Sequence, residues 1–248
     1  EILAEELERG FLLLSDLGSQ TWLHVINEAN ADDMFPKAIE ALVQIQAASR
    51  SGVLPEYDEA LLRRELDLFP EWYVERHCGV KWEADQQAAW SAVCDTLLSQ
   101  ALAQSRVFVH RDFMPRNLMH SDPDPGVIDF QDAVYGPVSY DPICLFKDAF
   151  LSWPEERVMG WLTSYWQQAR AAGIPVPGDL DRFLLDCDLM GAQRHLKVIG
   201  IFARICHRDA KPHYLEDVPR FFAYLDTVIA RRPELAALAP LLDQVRPK

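Results

Sequence analysis

The segment from His110 to Asp132 constrains the fold of this chain more than any other stretch. The short β-branched and aromatic run Val107–Val109 leads directly into His110, and the apolar run Gly126–Ile128 leads directly into Asp129. The turn-forming sequence S-D-P-D-P-G lies between the two runs. The pattern predicts two very short strands that pair as a β-hairpin and end in polar side chains.

Apolar spacing predicts helices over much of the remaining chain. Residues 21–48, 61–73 and 83–103 carry apolar side chains at helical spacing. Asp32 and Asp33 are candidate N-caps for the second helix of the first range. The part of the chain that follows the two short strands is also helical in pattern, with breaks at prolines and glycines.

A short apolar run near the start of the chain predicts a strand. Phe11–Leu14 lies between Gly10 and Gly18 and contains no polar residue. Such a run, bounded by turn residues, favours a buried strand over a helix.

Composition excludes several classes of protein. The net charge of −14 argues against nucleic acid as a partner, because nucleic-acid binders present a basic surface. No apolar run reaches the ~18 residues of a membrane helix, and the acidic start does not resemble a secretory signal. We therefore expect a cytoplasmic protein with no membrane or protein partner. The five cysteines lack metal-ligand spacing and are expected to be reduced core residues.

Three oxygen-bearing side chains follow the predicted strands at a spacing that suits phosphoryl transfer. Asn117 lies five residues after Asp112, and Asp129 lies twelve residues after Asn117. Asp112 is the candidate base for the proton of an attacking hydroxyl. Asn117 and Asp129 are candidate ligands of Mg²⁺, a cation that prefers oxygen. Each residue alone is typical of a turn, but the joint spacing predicts a kinase-type site.

Two further residues are expected to support this site without acting in the reaction. His110 directly follows a strand, so its ring is expected to pack and to hydrogen-bond to the loop backbone. Asp141, in the sequence S-Y-D-P, is either a plain helix N-cap or an acceptor for backbone N–H groups of the catalytic loop. Both interpretations stay open at this point.

The segments His110-Arg-Asp-Phe-Met-Pro-Arg-Asn117 and Ile128-Asp-Phe-Gln-Asp-Ala resemble the aminoglycoside phosphotransferase and choline kinase superfamily. The resemblance implies an α+β, protein-kinase-like fold, represented mainly by its helical C-terminal lobe with a small β-hairpin at the active site. Residues 1–17 would be the remnant of the N-terminal nucleotide-binding lobe and the hinge. Residues 18–248 would form the helical lobe, with the catalytic loop, the metal site and the acceptor pocket.

The same resemblance implies ATP as co-substrate and Mg²⁺ as cofactor. The backbone of Asp16 and Leu17, in the hinge, would bind the edge of the adenine ring. More of the small lobe would precede Glu1, since the phosphate-covering loop and its partner Lys are not visible in the sequence. Without them, we expect poor turnover.

The acceptor is expected to be a small molecule. Only twelve residues separate Asp129 from Asp141, which is too short for the peptide-binding activation segment of protein kinases. Three stretches are similar to bacterial anomeric sugar kinases of cell-wall recycling: residues 12–18, 69–77 and 193–204. This similarity implies the C1 hydroxyl of N-acetylmuramate or N-acetylglucosamine as the acceptor and the sugar 1-phosphate as the product.

A cationic stretch gives separate support for an anionic ligand. Arg194, His195 and Lys197 belong to a basic segment in an otherwise acidic chain and are candidate substrate-binding residues. The alternative interpretation is a solvated helix whose cations pair with acids elsewhere.

Two other functions stay open from the sequence. One is a phosphotransferase that acts on an aminoglycoside or another small alcohol. The other is a non-catalytic pseudokinase or ligand-binding module, which the missing phosphate loop would favour and the intact three-residue site would not.

Overall fold

Helices dominate the computed structural model, which describes residues 2–247. Glu1 and Lys248, the outer ends of the two predicted parts of the chain, lie outside the described residues. The α-helices of the described part are α1 (Trp22–Val25), α2 (Ala31–Ala47), α3 (Glu59–Leu68), α4 (Ala84–Ala103), α5 (Tyr140–Phe146), α6 (Glu155–Ala171), α7 (Leu180–Asp209), α8 (Val218–Arg231) and α9 (Ala239–Asp243). The strands are β1 (Ile2–Glu6), β2 (Phe11–Leu14), β3 (Arg106–Val109), β4 (Leu118–Met119), β5 (Gly126–Val127) and β6 (Val134–Pro137). A π-helical segment, Phe69–His77, continues α3.

The long helix α7 lies at the centre of the helical part. It packs against α3, α4, α5 and α8, and its middle, from Asp186 to Ala203, is buried almost without interruption. A helix buried on all sides must satisfy its charged side chains inside the protein. Arg194, His195 and Lys197, which lie in this buried middle, are therefore not on a solvated face.

The helix predictions are confirmed in position, but one predicted cap is wrong. The stripe of α4 that contains Trp90, Val93 and Leu97 is buried as its spacing predicted. Asn30, not Asp32 or Asp33, precedes α2. Both acids lie in the first turn, where negative charge is favourable next to the exposed N–H groups of the helix.

The strands do not pair as the sequence predicted. β3 pairs antiparallel with β6, and β4 pairs antiparallel with β5. The S-D-P-D-P-G turn therefore joins β4 to β5, so the predicted hairpin between the runs 107–109 and 126–128 is wrong. The buried apolar pair Leu118–Met119 gives β5 a partner much closer along the chain, and closing the shorter loop costs less entropy. The hairpin of this fold is β4–β5.

The segment that leads into α1 packs along this hairpin. Gly126 has no side chain, and a Cβ there would lie 2.9 Å from Cδ1 of Leu17. The carbonyl of Gln20 accepts a hydrogen bond from the backbone N–H of His120 at 2.9 Å. The residues around the predicted hinge thus contact the β4–β5 hairpin, and β5 ends two residues before Asp129.

The predicted strand Phe11–Leu14 exists as β2, but it is not buried. It pairs with β1 in a two-stranded ribbon, and Phe11 keeps 61% of its surface exposed. No apolar side chain of residues 2–14 belongs to the core of the described part of the chain. A ribbon of two strands has no sheet neighbour to cover its faces.

Two predictions from composition can be compared with the structure. Within residues 2–247, no helix is both long enough and apolar enough to cross a bilayer. All five cysteines are free thiols. Cys94, Cys144 and Cys187 are buried, as expected, whereas the other two are half-buried.

Candidate active site

The loop that carries the candidate base is fixed at its start by a buried carboxylate. Asp141, in the first turn of α5, accepts the backbone N–H of His110 at 2.7 Å and that of Arg111 at 3.0 Å. Ser139, not Asp141, occupies the N-cap position of α5. Asp141 therefore reaches the catalytic loop instead of capping its own helix. Burial raises the pKa of Asp141 to about 7, although the two N–H donors favour the carboxylate.

Arg111, the residue before Asp112, adopts an uncommon backbone conformation. Its φ is +73°, in the left-handed region that side-chain-bearing residues seldom occupy. The guanidinium binds the buried carboxylate of Glu65 on α3 and donates to the carbonyl of Asp132 at 3.3 Å. These contacts hold the strained residue in place and connect the catalytic loop to the loop that follows β5.

The ring of His110 makes a second connection between the two loops. Its Nε2 lies 3.0 Å from the carbonyl of Ile128, the residue before Asp129. Burial lowers the pKa of His110, so the ring is neutral and donates this hydrogen bond through Nε2–H. The ring also packs edge-on against Phe113, with centroids 5.8 Å apart.

The amide of Asn117 connects the backbone of Asp112 to the carboxylate of Asp129. Its Nδ2 donates to the backbone carbonyl of Asp112 at 3.0 Å and to Oδ2 of Asp129 at 3.3 Å. Both amide hydrogens are thereby used, which leaves Oδ1 as the atom available to a cation. Asp129 has a φ of +69°, and its Oδ1 accepts Nε2 of Gln131 at 2.8 Å.

All three candidate residues of the kinase-type site line one open cavity of about 840 Å³. Asp112, Asn117 and Asp129 are among its polar lining residues. Its apolar wall includes Ala149, Phe150, Val198, Ile201, Phe202, Ile205 and Tyr214. Two cations also border the cavity, Arg116 and Arg194. The structure therefore brings together the side chains whose spacing indicated phosphoryl transfer.

The polar lining residues fit a magnesium ion by their donor set. Asp129 offers a carboxylate and Asn117 an amide oxygen, both hard ligands. Mg²⁺ commonly takes only one or two protein carboxylates and completes its octahedron with water and substrate phosphates. Within residues 2–247 no cluster of three His, Cys, Asp or Glu side chains could hold a metal ion.

Of the three predicted substrate-binding residues, only Arg194 reaches the cavity. Its side chain is buried, and its Nη1 donates to the carbonyl of Lys147 at 3.4 Å. Burial alone would lower the pKa of Arg194, but neighbouring groups, among them Cys144 and the carboxylates of Asp112 and Asp148, raise it. The guanidinium is therefore a permanent positive charge close to the candidate base.

The structure places His195 and Lys197 away from the cavity. His195 is fully buried, with its ring 4.9 Å from that of Tyr224. Lys197 forms an ion pair with Glu65 at 2.9 Å and donates to the hydroxyl of Tyr140 at 3.0 Å. The cavity face of α7 follows i, i+4, i+7, i+8 and i+11 from Arg194, and the positions of His195 and Lys197, i+1 and i+3, are not on it. Lys197 also does not fit the alternative of a solvated helix, because it is buried.

The residues predicted to bind adenine lie beside the cavity, not in its wall. Asp16 is exposed, and its Oδ1 accepts the N–H of Gly18 at 2.8 Å. Leu17 packs over the hairpin, and the cavity wall from this part of the chain begins at Thr21.

Sequence reasoning missed several residues of the site. Glu65 had a readable signal, because it lies on the same face of α3 as the buried Leu62 and Leu66. A charged residue on an apolar helical stripe indicates a buried ion pair. Arg116 lay inside the recognised loop but had no assigned role. Phe150 and Tyr214 carried no local signal, since only the tertiary fold brings them to the cavity.

The catalytic loop, which carries Asp112 and Asn117, and the metal loop, which carries Asp129, meet at one cavity of a helical lobe. This arrangement is that of a small-molecule kinase. The model of the family described as "Phosphotransferase enzyme family" matches residues 1–183. This chain belongs to that family. The expected kinase-like α+β fold and the superfamily resemblance are confirmed.

The chain is similar to curated kinases over nearly its whole length. It is 63% identical to the N-acetylmuramate/N-acetylglucosamine kinase of Pseudomonas aeruginosa, covering 97% of this chain and 71% of the relative. It is 63% identical to the protein of the same name from Pseudomonas putida, over 98% of this chain and 72% of the relative. It is 47% identical to the protein of the same name from Neisseria meningitidis serogroup B, over 99% of this chain and 75% of the relative.

Solved structures support the fold. Choline kinase LicA from Streptococcus pneumoniae aligns with a TM-score of 0.59 at 14% identity, over 92% of this chain and 74% of that one. The ADP-bound aminoglycoside phosphotransferase APH(2'')-Ib aligns with a TM-score of 0.52 at 15% identity, over 88% of this chain and 72% of that one. Identities this low show a common fold and nothing about the acceptor.

Proposed function

We propose that this protein transfers the γ-phosphoryl group of ATP to the anomeric hydroxyl of N-acetylmuramate or N-acetylglucosamine. The product would be the sugar 1-phosphate, as in the recycling of peptidoglycan. The observation that carries the proposal is the single cavity that joins Asp112, Asn117 and Asp129 to an apolar wall and two cations. The names of relatives with 63% identity support the choice of acceptor.

In this proposal Asp112 accepts the proton of the sugar hydroxyl as the hydroxyl attacks. The surrounding residues hold its loop rigidly. Asp141 binds the backbone at the start of the loop, and Asn117 binds the carbonyl of Asp112 itself. Such preorganisation contributes to rate because phosphoryl transfer depends mainly on position and charge.

Asn117 and Asp129 would hold Mg²⁺ in the cavity. When bound, the ion neutralises negative charge on the phosphate oxygens. The contact between Nδ2 of Asn117 and Oδ2 of Asp129, at 3.3 Å, sets the two ligand groups side by side without the ion. Gln131 orients the other oxygen of Asp129.

The apolar wall of the cavity suits an N-acetylated sugar better than a cationic acceptor. Phe150, Phe202 and Tyr214 offer aromatic surface on which a pyranose ring or an acetamido methyl group can pack. Arg194 adds positive potential to the cavity, which favours an acceptor that carries a carboxylate. An aminoglycoside or choline is positively charged and would be repelled by Arg194 and Arg116. The two alternative acceptors are therefore less well supported.

The nucleotide side belongs to the same proposal. We assign the adenine contacts to the backbone of Asp16 and Leu17, which the β4–β5 hairpin holds close to the metal loop. We also assign residues 1–17 to the nucleotide lobe and hinge and residues 18–248 to the helical lobe. The core of the described residues begins at Trp22, and the β1–β2 ribbon lies outside it. The cytoplasmic location stays a prediction.

A substrate panel tests the acceptor. The purified full-length protein is incubated with ATP, Mg²⁺ and, in parallel, N-acetylmuramate, N-acetylglucosamine, choline or an aminoglycoside. Phosphorus NMR and mass spectrometry of the products should detect the two sugar 1-phosphates. Phosphorylation of choline or the aminoglycoside alone would overturn the proposed acceptor. Sugar binding without any phosphorylated product would favour a ligand-binding module.

A further inference from the structure

Most cations around the catalytic loop are already engaged by groups of the protein. Glu65 binds both Arg111 and Lys197. Arg194 is buried, donates to the carbonyl of Lys147, and is surrounded by the negative groups that raise its pKa. None of these three charges is free to move toward a ligand.

Arg116 differs from the other three in position and surroundings. It is exposed and borders the cavity, and no carboxylate of residues 2–247 forms an ion pair with it. Its guanidinium carbon lies 5.4 Å from the ring centroid of Phe150, part of the apolar wall. The aromatic ring restrains the plane of the guanidinium while its N–H groups stay available.

The backbone also fixes Arg116 relative to the reacting groups. It lies in the short 3₁₀ turn Pro115–Asn117, one residue before the candidate metal ligand and four after Asp112. Pro115 and Asn117 are both buried, so the turn cannot shift without disturbing the core. An anion bound by Arg116 would therefore be held at a defined distance from the base.

We propose that Arg116 is a specificity-determining residue that binds a carboxylate on the acceptor. This inference rests on the proposed function and names the feature of the substrate that the site reads. N-acetylmuramate differs from N-acetylglucosamine by a lactyl ether that carries a carboxylate. Phosphate oxygens would meet Asn117 and Asp129 through the metal, whereas Arg116 lies against Phe150 on the wall proposed to hold the sugar. The acceptor carboxylate is thus the anion that Arg116 is placed to bind.

The test compares KM for N-acetylmuramate with KM for N-acetylglucosamine in an Arg116→Gln variant. Loss of a charge-assisted contact should raise KM for N-acetylmuramate by about 10- to 100-fold. KM for N-acetylglucosamine and for ATP should change less than about twofold, because neither makes the contact. Arg116→Lys keeps the charge but not the bidentate geometry and should restore part of the affinity.

Arg50→Gln is the matched control, because Arg50 is also exposed but lies outside the cavity. It should leave all three KM values unchanged. Thermal unfolding of Arg116→Gln should equal that of the wild type, since Arg116 is an exposed residue.

The possible outcomes separate this inference from the proposed function. An equal rise for both sugars, no rise for either, or a rise in KM for ATP would overturn the role of Arg116. A rise for ATP would mean that the residue contacts phosphate instead. A wild-type protein that phosphorylates neither sugar would remove the proposed function, and the inference with it.

Discussion

The carboxylate of Glu65 binds the guanidinium of Arg111, the residue immediately before the candidate base Asp112. Glu65 is buried in α3 and also accepts hydrogen bonds from Tyr57 and from Nε2 of Gln193, the latter at 3.1 Å. It therefore acts as an anchor, inside the core, for a residue with a strained backbone. The position of the catalytic loop therefore depends on α3, a contact that the sequence of the loop alone does not indicate.

Replacing Glu65 by Gln should destabilise the protein. The substitution leaves two buried cations, Arg111 and Lys197, without a counterion, and breaking a buried pair from one side costs about 3–5 kcal/mol. Urea unfolding should show this loss, and kcat should fall because Asp112 is no longer held firmly. Glu59→Gln, in the exposed first turn of the same helix, is the control and should change stability by less than about 0.5 kcal/mol. Equal urea concentrations at the unfolding midpoint for the two variants would contradict the role of Glu65.

The same ion pairs predict a loss of stability in acid. Burial alone would raise the pKa of Glu65, but the charges of Lys197 and Arg111 outweigh it and lower the pKa below its ordinary value of 4.5. The stability that Glu65 contributes is therefore complete above pH 4.5 and is lost as pH falls through the lower, folded-state pKa. The difference in unfolding free energy between wild type and Glu65→Gln should shrink from pH 6 to pH 3. A constant difference would mean that Glu65 is not ionised in the folded protein.

The sequence predicted the reacting groups because they lie close together along the chain. Asp112, Asn117 and Asp129 share one short segment, so their spacing alone restricts how they can be arranged. Lys197 was a candidate substrate-binding residue because it belongs to a basic segment, but it pairs with Glu65 instead of lining the cavity. A helix turns by about 100° per residue, so cations close together in the sequence of one helix face different partners.

Contacts between distant parts of the chain could not be predicted in this way. The pairing of β3 with β6 depends on how the helices pack, and it replaced the hairpin that the turn residues suggested. The same holds for Phe150 and Tyr214, which only the fold brings to the cavity.

Asp112→Asn should lower kcat by at least about 100-fold, because an amide cannot accept the proton of the hydroxyl. KM for the sugar should change little, and the fold should stay intact, since the two side chains have nearly the same shape. Steady-state kinetics and circular dichroism measure the two quantities. Asp95→Asn removes an exposed carboxylate outside the cavity and should behave as wild type. Near-normal turnover of Asp112→Asn would show that another group is the base.

Changes at the metal loop should appear as a changed need for Mg²⁺. Asp129→Asn removes the only carboxylate proposed to bind the ion, and the Mg²⁺ concentration for half-maximal rate should rise at least about tenfold or activity should disappear. Gln131→Ala should give a smaller rise in the same direction, because it frees the oxygen of Asp129 that Gln131 orients. Titration of the initial rate with MgCl₂ measures this concentration for each variant. Identical Mg²⁺ curves for wild type and Asp129→Asn would exclude this residue as a ligand.

The stability that Asp141 contributes should change with pH in the opposite direction to the stability that Glu65 contributes. Burial raises its pKa from 3.8 to about 7, so the folded state retains a proton that the unfolded chain releases. The stability linked to this proton is complete below pH 3.8 and is lost as pH rises through 7. Asp141→Asn cannot ionise, so its unfolding free energy relative to the wild type should improve steadily from pH 4 to pH 8. At low pH the variant should be the less stable by about 1–3 kcal/mol, because the hydroxyl oxygen of protonated Asp141 can still accept a backbone N–H of the catalytic loop, whereas the NH2 group of Asn can only donate. A pH-independent difference between the two proteins would show that Asp141 stays ionised in its buried position.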